Sequence, residues 1–383
     1  MLANRLTGVS VAVAAVLLMA ACSSAGASDS PATGGSSAST NADVTAALAE
    51  ARANIEAHSS FPTTIPAMDP LPEAPPKGKT VVFLQCEQDQ CHHEGDGLEA
   101  AAKAVSWNFK RLNFEAANPA TLVSALKNAL QYNPVGVFFS GTPQATWSSM
   151  QDAYAKAGAF LAESYDSEVP TGPGVVAGHG YGDHSVALGT LLADAQVTHS
   201  NGQPAKSLVV TVPSYPVFGP VTDSYKDEIA KTCPDCSVET VEGTIPQLVG
   251  GQFINAIVSA AKRIEGLKYI VSVNGSFVAQ LPQALKAAGL EGEFEIISGK
   301  GGAADQQNVL DGKALFTVNS PHVYGGWQDM DVAIRTVMGL PIPEADHQVI
   351  PYLLTKDNIG TPRDSFDVPV GYQDQFKELW KVN

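Results

Sequence analysis

Apolar and polar positions alternate along most of this chain in two interleaved rhythms. Short uninterrupted apolar runs such as KTVVFLQC, GVFFSG, SLVVTVPS and ALFTVNS read as strands buried on both faces. Between them lie longer stretches with apolar residues on one face, as in GLEAAAKAVSW, TLVSALKNALQ, HSVALGTLLADA and GQFINAIVSAAKRI. Strand and helix alternate with short connections, first over residues 79–200 and again from residue 203. That pattern predicts an α/β fold of two doubly wound parallel-sheet lobes, covered by helices on both faces. About 300 residues follow Lys79, more than a single core usually organises.

The first residues depart from this rhythm. Arg5 precedes an uncharged apolar run, which reads as a secretory signal over residues 1–21 and is too short for a stable spanning helix. The run ends in LMAAC, which resembles a bacterial lipobox and marks Cys22 for lipidation, with Met19 standing where Leu is commoner. Residues 22–78 read as a lipid-anchored flexible tether: a Ser/Ala/Gly stretch, a short helix over residues 41–58, and an extended proline-punctuated segment. The expected location is therefore the extracytoplasmic face of the cell membrane.

Net charge is −16, with 16% charged residues and no Lys/Arg cluster, which argues against a nucleic-acid partner. Setting Cys22 aside, Cys86, Cys91, Cys233 and Cys236 remain. Their close pairing in an exported chain predicts two local disulfides. In QCEQDQCHHEGDG (residues 85–97) a metal site of Cys86, Cys91, His92 and Glu94 is the competing reading, but a paired second half is missing, so no metal is expected. CPDC closes a predicted helix instead of opening one, so a structural pair is favoured over a redox site. No nucleotide-binding loop, GxSxG or HExxH motif is present; no cofactor and no catalytic residue is expected.

In open α/β sheets, ligands bind beyond the carboxyl ends of the strands. The polar strand ends are residues 85–93, 140–142, 179–184, 214–218, 274–276, 299–301 and 319–320. The candidate ligand residues drawn from them are Gln88, His92, Ser140, Thr142, Asp183, His184, Tyr215, Asn274, Lys300, Asn319 and Ser320.

The order of segments resembles the type I periplasmic solute-binding proteins, the ribose-binding-protein-like group that serves ABC transporters. KTVVFLQC…GDGLEAAAKAVSWNFKRL, NGSFVAQLPQALKAAGL, NVLDGKALFTVNSP…GLPIP and TKDNI carry the resemblance from Lys79 onward. It implies two lobes joined by a three-strand hinge: residues 79–200 with 320–345, and residues 203–319 with 346–383. It implies a monomer that encloses a small polar ligand, a sugar first of all, and delivers it to a membrane permease. A sensor presenting its ligand to a signalling receptor is the alternative, as is a non-sugar aromatic or anionic metabolite. The pattern for sugars is only partly kept. PSYPVFGPVTDSY lacks the group's usual Arg, Ser298-Gly299-Lys300 stands where Gly-x-Asp is usual, and His184 takes the place of an Asp, while Asn274 matches. Lys300 would suit a ligand with an anionic group.

Overall fold

The computed structural model describes residues 36–383, with side chains from residue 44; Cys22, the signal segment and the first part of the tether lie outside the described residues. A helix, α1 (Ser36–Ser59), precedes the first strand. The first lobe then runs β1 (Thr80–Gln85), α2 (Asp89–Ala104), β2 (Asn108–Asn113), α3 (Pro119–Ala129), β3 (Gly136–Ser140), α4 (Gln144–Trp147), α5 (Gln151–Ala157), β4 (Phe160–Ser164) and β5 (Val175–Ala177). After α6 (Gly182–His199) come β6 (Lys206–Thr211), α7 (Phe218–Thr232), β7 (Ser237–Glu242), α8 (Ile245–Val249), α9 (Gln252–Arg263) and β8 (Leu267–Ser272). The chain continues through α10 (Leu281–Ala287), β9 (Glu295–Gly299), α11 (Ala303–Leu310), β10 (Phe316–Asn319), α12 (His322–Met338), β11 (Tyr352–Leu354) and α13 (Tyr372–Leu379).

Two sheets result. The first has the order β2-β1-β3-β4-β5 with every neighbouring pair parallel. The second has the order β11-β10-β9-β8-β6-β7 and is parallel except for β11, which pairs antiparallel with β10 at the edge. The central strands are buried on both faces, which is why they read as continuous apolar runs instead of alternating ones.

Several boundaries differ from the sequence reading. The segment around the two histidines is not a loop: α2 begins at Asp89 and contains Gly95 and Gly97. Glycine weakens a helix interior by about 1 kcal/mol. Here it permits close packing, because a Cβ on Gly97 would lie 2.1 Å from the Val323 carbonyl oxygen of α12. Gly326 returns the contact against the Glu94 oxygen and Leu98 nitrogen of α2. The helix α6, assigned with residues 79–200 to lobe one, instead contributes Leu188, Leu191, Leu192 and Val197 to the core of lobe two. The C-terminal residues Tyr372, Phe376 and Trp380, assigned to lobe two, pack in lobe one with Trp327 stacked on Trp380 at 5.3 Å. The chain therefore crosses between lobes again after β11, beyond the expected hinge strands.

The proline-punctuated segment before β1 is extended but not loose. Ala51 of α1 joins the core of lobe two, and Asn54 Nδ2 donates to Asp194 Oδ2 at 2.6 Å. Phe61 then packs edge-on against Tyr352 and Phe366. The Ile65 amide donates to Gln375 Oε1, and the Leu71 amide to the Leu379 carbonyl, both in lobe one. Residues 59–71 and the return to α13 thus run side by side from one lobe to the other.

Leu71 is fully buried in the core of lobe one. Leu71→Ala is expected to destabilise the protein by about 2–5 kcal/mol, as measured by urea unfolding. A loss under about 0.5 kcal/mol, the range of an ordinary surface substitution, would restore the reading of this segment as a tether.

Candidate functional site

The carboxyl ends of both sheets face each other, and between them lies a cavity of about 270 Å³. Lobe one supplies Gln88, Glu94, Ser140, Thr142 and Tyr165 to its wall; lobe two supplies Tyr215, Phe218, Asn274 and Lys300; His322 enters from the start of α12. Apolar parts of the wall are built from the Cys86–Cys91 disulfide, Phe114, Leu122, Pro143, Pro216 and Val217, and Gln90, Glu115, Thr146 and Ser214 add polar groups. Cys233 and Cys236 are likewise bonded to each other, at the C-terminal end of α7.

The lobes touch across the mouth. Gln88 Nε2 donates to Tyr215 Oη at 2.9 Å, and Gln90 Nε2 approaches the Lys300 carbonyl oxygen at 3.4 Å. The Cys86–Cys91 bond ties the end of β1 to the first turn of α2, which holds Gln88 where it reaches the opposite lobe. Asn274 has a structural duty as well: its Oδ1 accepts from the Ser276 amide and hydroxyl, capping a short turn. Its amide NH₂ has no protein partner among the described residues.

At the floor, Tyr165 and Lys300 both adopt left-handed backbone angles, φ +55° and φ +51°. Such angles are uncommon outside glycine and cost about 1–3 kcal/mol each. They place the Lys300 ammonium 5.5 Å from the centroids of both the Tyr165 and Phe218 rings. Around Tyr165 stand the imidazoles of His179, His184 and His322, with centroids at 5.0, 5.5 and 4.8 Å.

Below them is a fully buried group of acids. His179 Nδ1 lies 3.0 Å from Asp329 Oδ1, His179 Nε2 lies 3.9 Å from Glu94 Oε1, and Ser140 Oγ donates to Glu94 Oε2. The three could offer a metal ligand set, with their atoms within 4.8 Å of one another. Burial, reinforced by the charge of Asp329, pushes the Glu94 carboxyl up to about 8. Burial works against charge on His179, yet Asp329 and Glu94 hold it above the ordinary imidazole value. Burial, with Lys300 nearby, lowers His184 to about 3 and His322 well below its usual range, so both rings are neutral.

Of the residues singled out from the sequence, Gln88, Ser140, Thr142, Tyr215, Asn274 and Lys300 line this cavity. Asn319 and Ser320 line an adjoining recess that also reaches Lys300. Three residues are placed elsewhere. His92 is exposed and bonds Gln85, because a helix starting at Asp89 turns Cys91, Glu94 and Leu98 inward and the intervening position outward. Asp183 is exposed at a separate surface recess beside the hinge. His184 sits behind the cavity, its Nδ1 on the Val349 carbonyl at 3.1 Å and its Nε2 3.4 Å from Ser320 Oγ.

Sequence reasoning passed over Tyr165 and His322 and weighed Glu94 only as a metal ligand with cysteines that are in fact disulfide-bonded. Tyr165 follows β4 directly, so the strand-end rule applied to that strand would have found it.

No protein-family model matches the chain, and no curated protein sequence does. Solved structures match it over most of its length. A 5-methylthioribose transporter solute-binding protein from Thermotoga lettingae, in complex with 5-methylthioribose, superposes with a TM-score of 0.66 at 14% identity, covering 80% of this chain and 99% of that one. An ABC transporter solute-binding protein from Burkholderia graminis in complex with D-arabinose gives 0.64 at 15% identity over 75% and 98%. One from Actinobacillus succinogenes with bound D-allose gives 0.64 at 15% identity over 74% and 99%. The fold is that of the type I periplasmic solute-binding proteins.

Glu94 provides a test of the buried acids. Its folded-state value is raised, so its protonation favours the folded form fully below about 4.5, and the benefit disappears as pH rises through about 8. The melting temperature of the unmodified protein minus that of Glu94→Gln is therefore expected to be largest near pH 5 and to shrink steadily towards about pH 8.5. A pH-independent difference would mean that Glu94 ionises as an exposed carboxyl does.

Proposed function

We propose that this protein is an extracytoplasmic solute receptor that captures a small molecule between its lobes and delivers it to an ABC importer. The observation that carries this reading is the cavity at the facing strand ends, lined from both lobes and spanned at its mouth by the Gln88–Tyr215 bond. A ligand held there touches both lobes at once. It favours the closed form by the difference between its affinities for the closed and open forms. The comparable fold of solute-binding proteins supports the same reading. Lipidation at Cys22, a permease as partner and a monomeric state complete the proposal; among the described residues no helix is long and apolar enough to cross a membrane. A free sugar is the ligand class bound by the structural neighbours, and the wall described above includes Asn274 as the group best placed to hydrogen-bond such a polar solute.

Mass spectrometry of small molecules released from the denatured protein identifies the solute. Titration followed by small-angle scattering then reads closure as a decrease in radius of gyration. Asn274→Ala should weaken binding by roughly 5- to 150-fold, the loss of one buried hydrogen-bond partner at about 1–3 kcal/mol. Removal of its cap should cost about 0.5–2 kcal/mol of stability in the ligand-free melt. Unchanged affinity in a folded Asn274→Ala protein would place the site outside this cavity.

A further inference from the structure

Lys300 is 7% exposed, yet its ammonium forms no ion pair or hydrogen bond among the described residues; it meets two aromatic faces and opens on the cavity. Removing an ammonium from water is costly unless a counter-charge meets it. Glu94 lines the same cavity, but its carboxyl oxygens meet Ser140 and His179 instead of the ammonium. Glu115 is exposed, and Asp89, Asp305 and Asp364 line the adjoining recess, which Lys300 also reaches, without forming an ion pair with its ammonium. The imidazoles of His184 and His322 are neutral. The cavity thus presents an ammonium with no ion-pair partner among the described residues.

Part of the wall carries hydrogen-bonding groups, and Tyr165 Oη and both ring nitrogens of His322 have no partner among the described residues. Ser140 Oγ is engaged by Glu94, Thr142 Oγ1 donates to the Ser140 carbonyl, and the Gln88 amide donates to Tyr215. Phe114, Leu122, Pro143 and Val217 form the facing wall and offer no side-chain hydrogen-bond partner. A solute with hydroxyls around its whole circumference would bury those that face this apolar wall without partners. An apolar body fits that wall. The volume lies just below the roughly 300–1,000 Å³ of sites for drug-sized molecules, so the body must be small.

We propose that the solute is a small amphipathic monocarboxylate, with its carboxylate against Lys300 and Asn274 and its apolar body against Phe114, Leu122 and the Cys86–Cys91 disulfide. This rests on the reading of the cavity as the receptor site and names its ligand class. The left-handed loop supports it structurally. Gly301 lies against β10, where a Cβ would meet Thr317 Oγ1 at 2.1 Å, and Asn319 Nδ2 donates to the Gly301 carbonyl. The cation is thereby fixed before any ligand arrives, so binding costs little ordering of its long side chain.

The test uses matched probes on the mature full-length protein: hydrocinnamate and hydrocinnamide, hexanoate and hexanamide, with D-arabinose and D-allose alongside. Calorimetric titration should show each carboxylate bound at least about 10-fold more tightly than its amide, a difference of about 1.4 kcal/mol. Lys300→Met should abolish that preference, and its ligand-free melting temperature should not fall, since an unpaired buried charge is removed. Lys300→Gln serves as the second variant should the first misfold. Equal affinity for acid and amide, or a preference unchanged in both variants, overturns the proposal. Tight binding of a neutral sugar alone overturns it while leaving the receptor reading intact. Binding of none of these probes, together with no small molecule released from the purified protein, overturns both.

Discussion

The contact between the Lys300 ammonium and the Tyr165 ring is the constraint around which the two lobes are arranged. Tyr165 directly follows β4 in the first sheet and Lys300 directly follows β9 in the second, so their meeting brings the carboxyl ends of two separate sheets to one point. Both residues hold left-handed backbone angles, a cost of about 1–3 kcal/mol each that surrounding packing must offset. The offset is visible on each side. The Tyr165 ring is enclosed by three imidazoles, and the Lys300 loop is pinned to β10 through Gly301 and Asn319. A cation over an aromatic face gains up to about 2 kcal/mol when desolvated, too little to make the ammonium indifferent to a counter-ion.

The buried acids below follow from that arrangement. Glu94 must sit near Lys300 because α2 is drawn onto α12 through glycine contacts that no larger residue would allow. Once there it is surrounded by low-dielectric protein and by Asp329, and neutralises instead of pairing. Burial of His184 and His322 acts in the complementary direction, keeping neighbouring rings from adding positive charge. The electrostatics of the cavity are therefore set by desolvation more than by any count of charged residues, which is why an overall charge of −16 says little about it.

Much of the fold was legible from the sequence for a simple geometric reason. Strands buried on both faces must be apolar throughout, and parallel connections must carry helices, so alternation implies the architecture. The same geometry puts strand ends at the cavity, which brought Ser140, Thr142, Tyr215, Asn274 and Lys300 to its wall. Side-chain direction was less legible. His92 and Asp183 lie next in sequence to inward-facing residues, and each points outward because of where its helix begins. That start was hidden for α2, since Gly95 and Gly97 look like loop residues until the opposing Val323 carbonyl is seen. The terminal segments were hidden for another reason. Residues 59–78 have no periodicity, and their attachments are made one at a time to residues about 300 positions away, such as Ile65 to Gln375.

Those attachments bear on how the lobes move relative to each other. The segment leading into lobe one passes Phe61, and the segment returning to α13 passes Phe366; the two rings meet at 5.1 Å beside Tyr352 on the edge strand β11. Both segments therefore pass through one shared aromatic contact on the edge strand of lobe two. Closure at the mouth is supported by contacts of a different kind: one amide–phenol hydrogen bond and one longer approach to a carbonyl. A typical hydrogen bond contributes about 0.5–1.5 kcal/mol net, whereas a shift from mostly open to mostly closed needs about 5.5 kcal/mol. The mouth contacts fall short of that by themselves. In the proposed receptor the remainder comes from what a solute gains by touching both lobes, and the buried, unpaired ammonium of Lys300 is the group with the most to gain from such a contact.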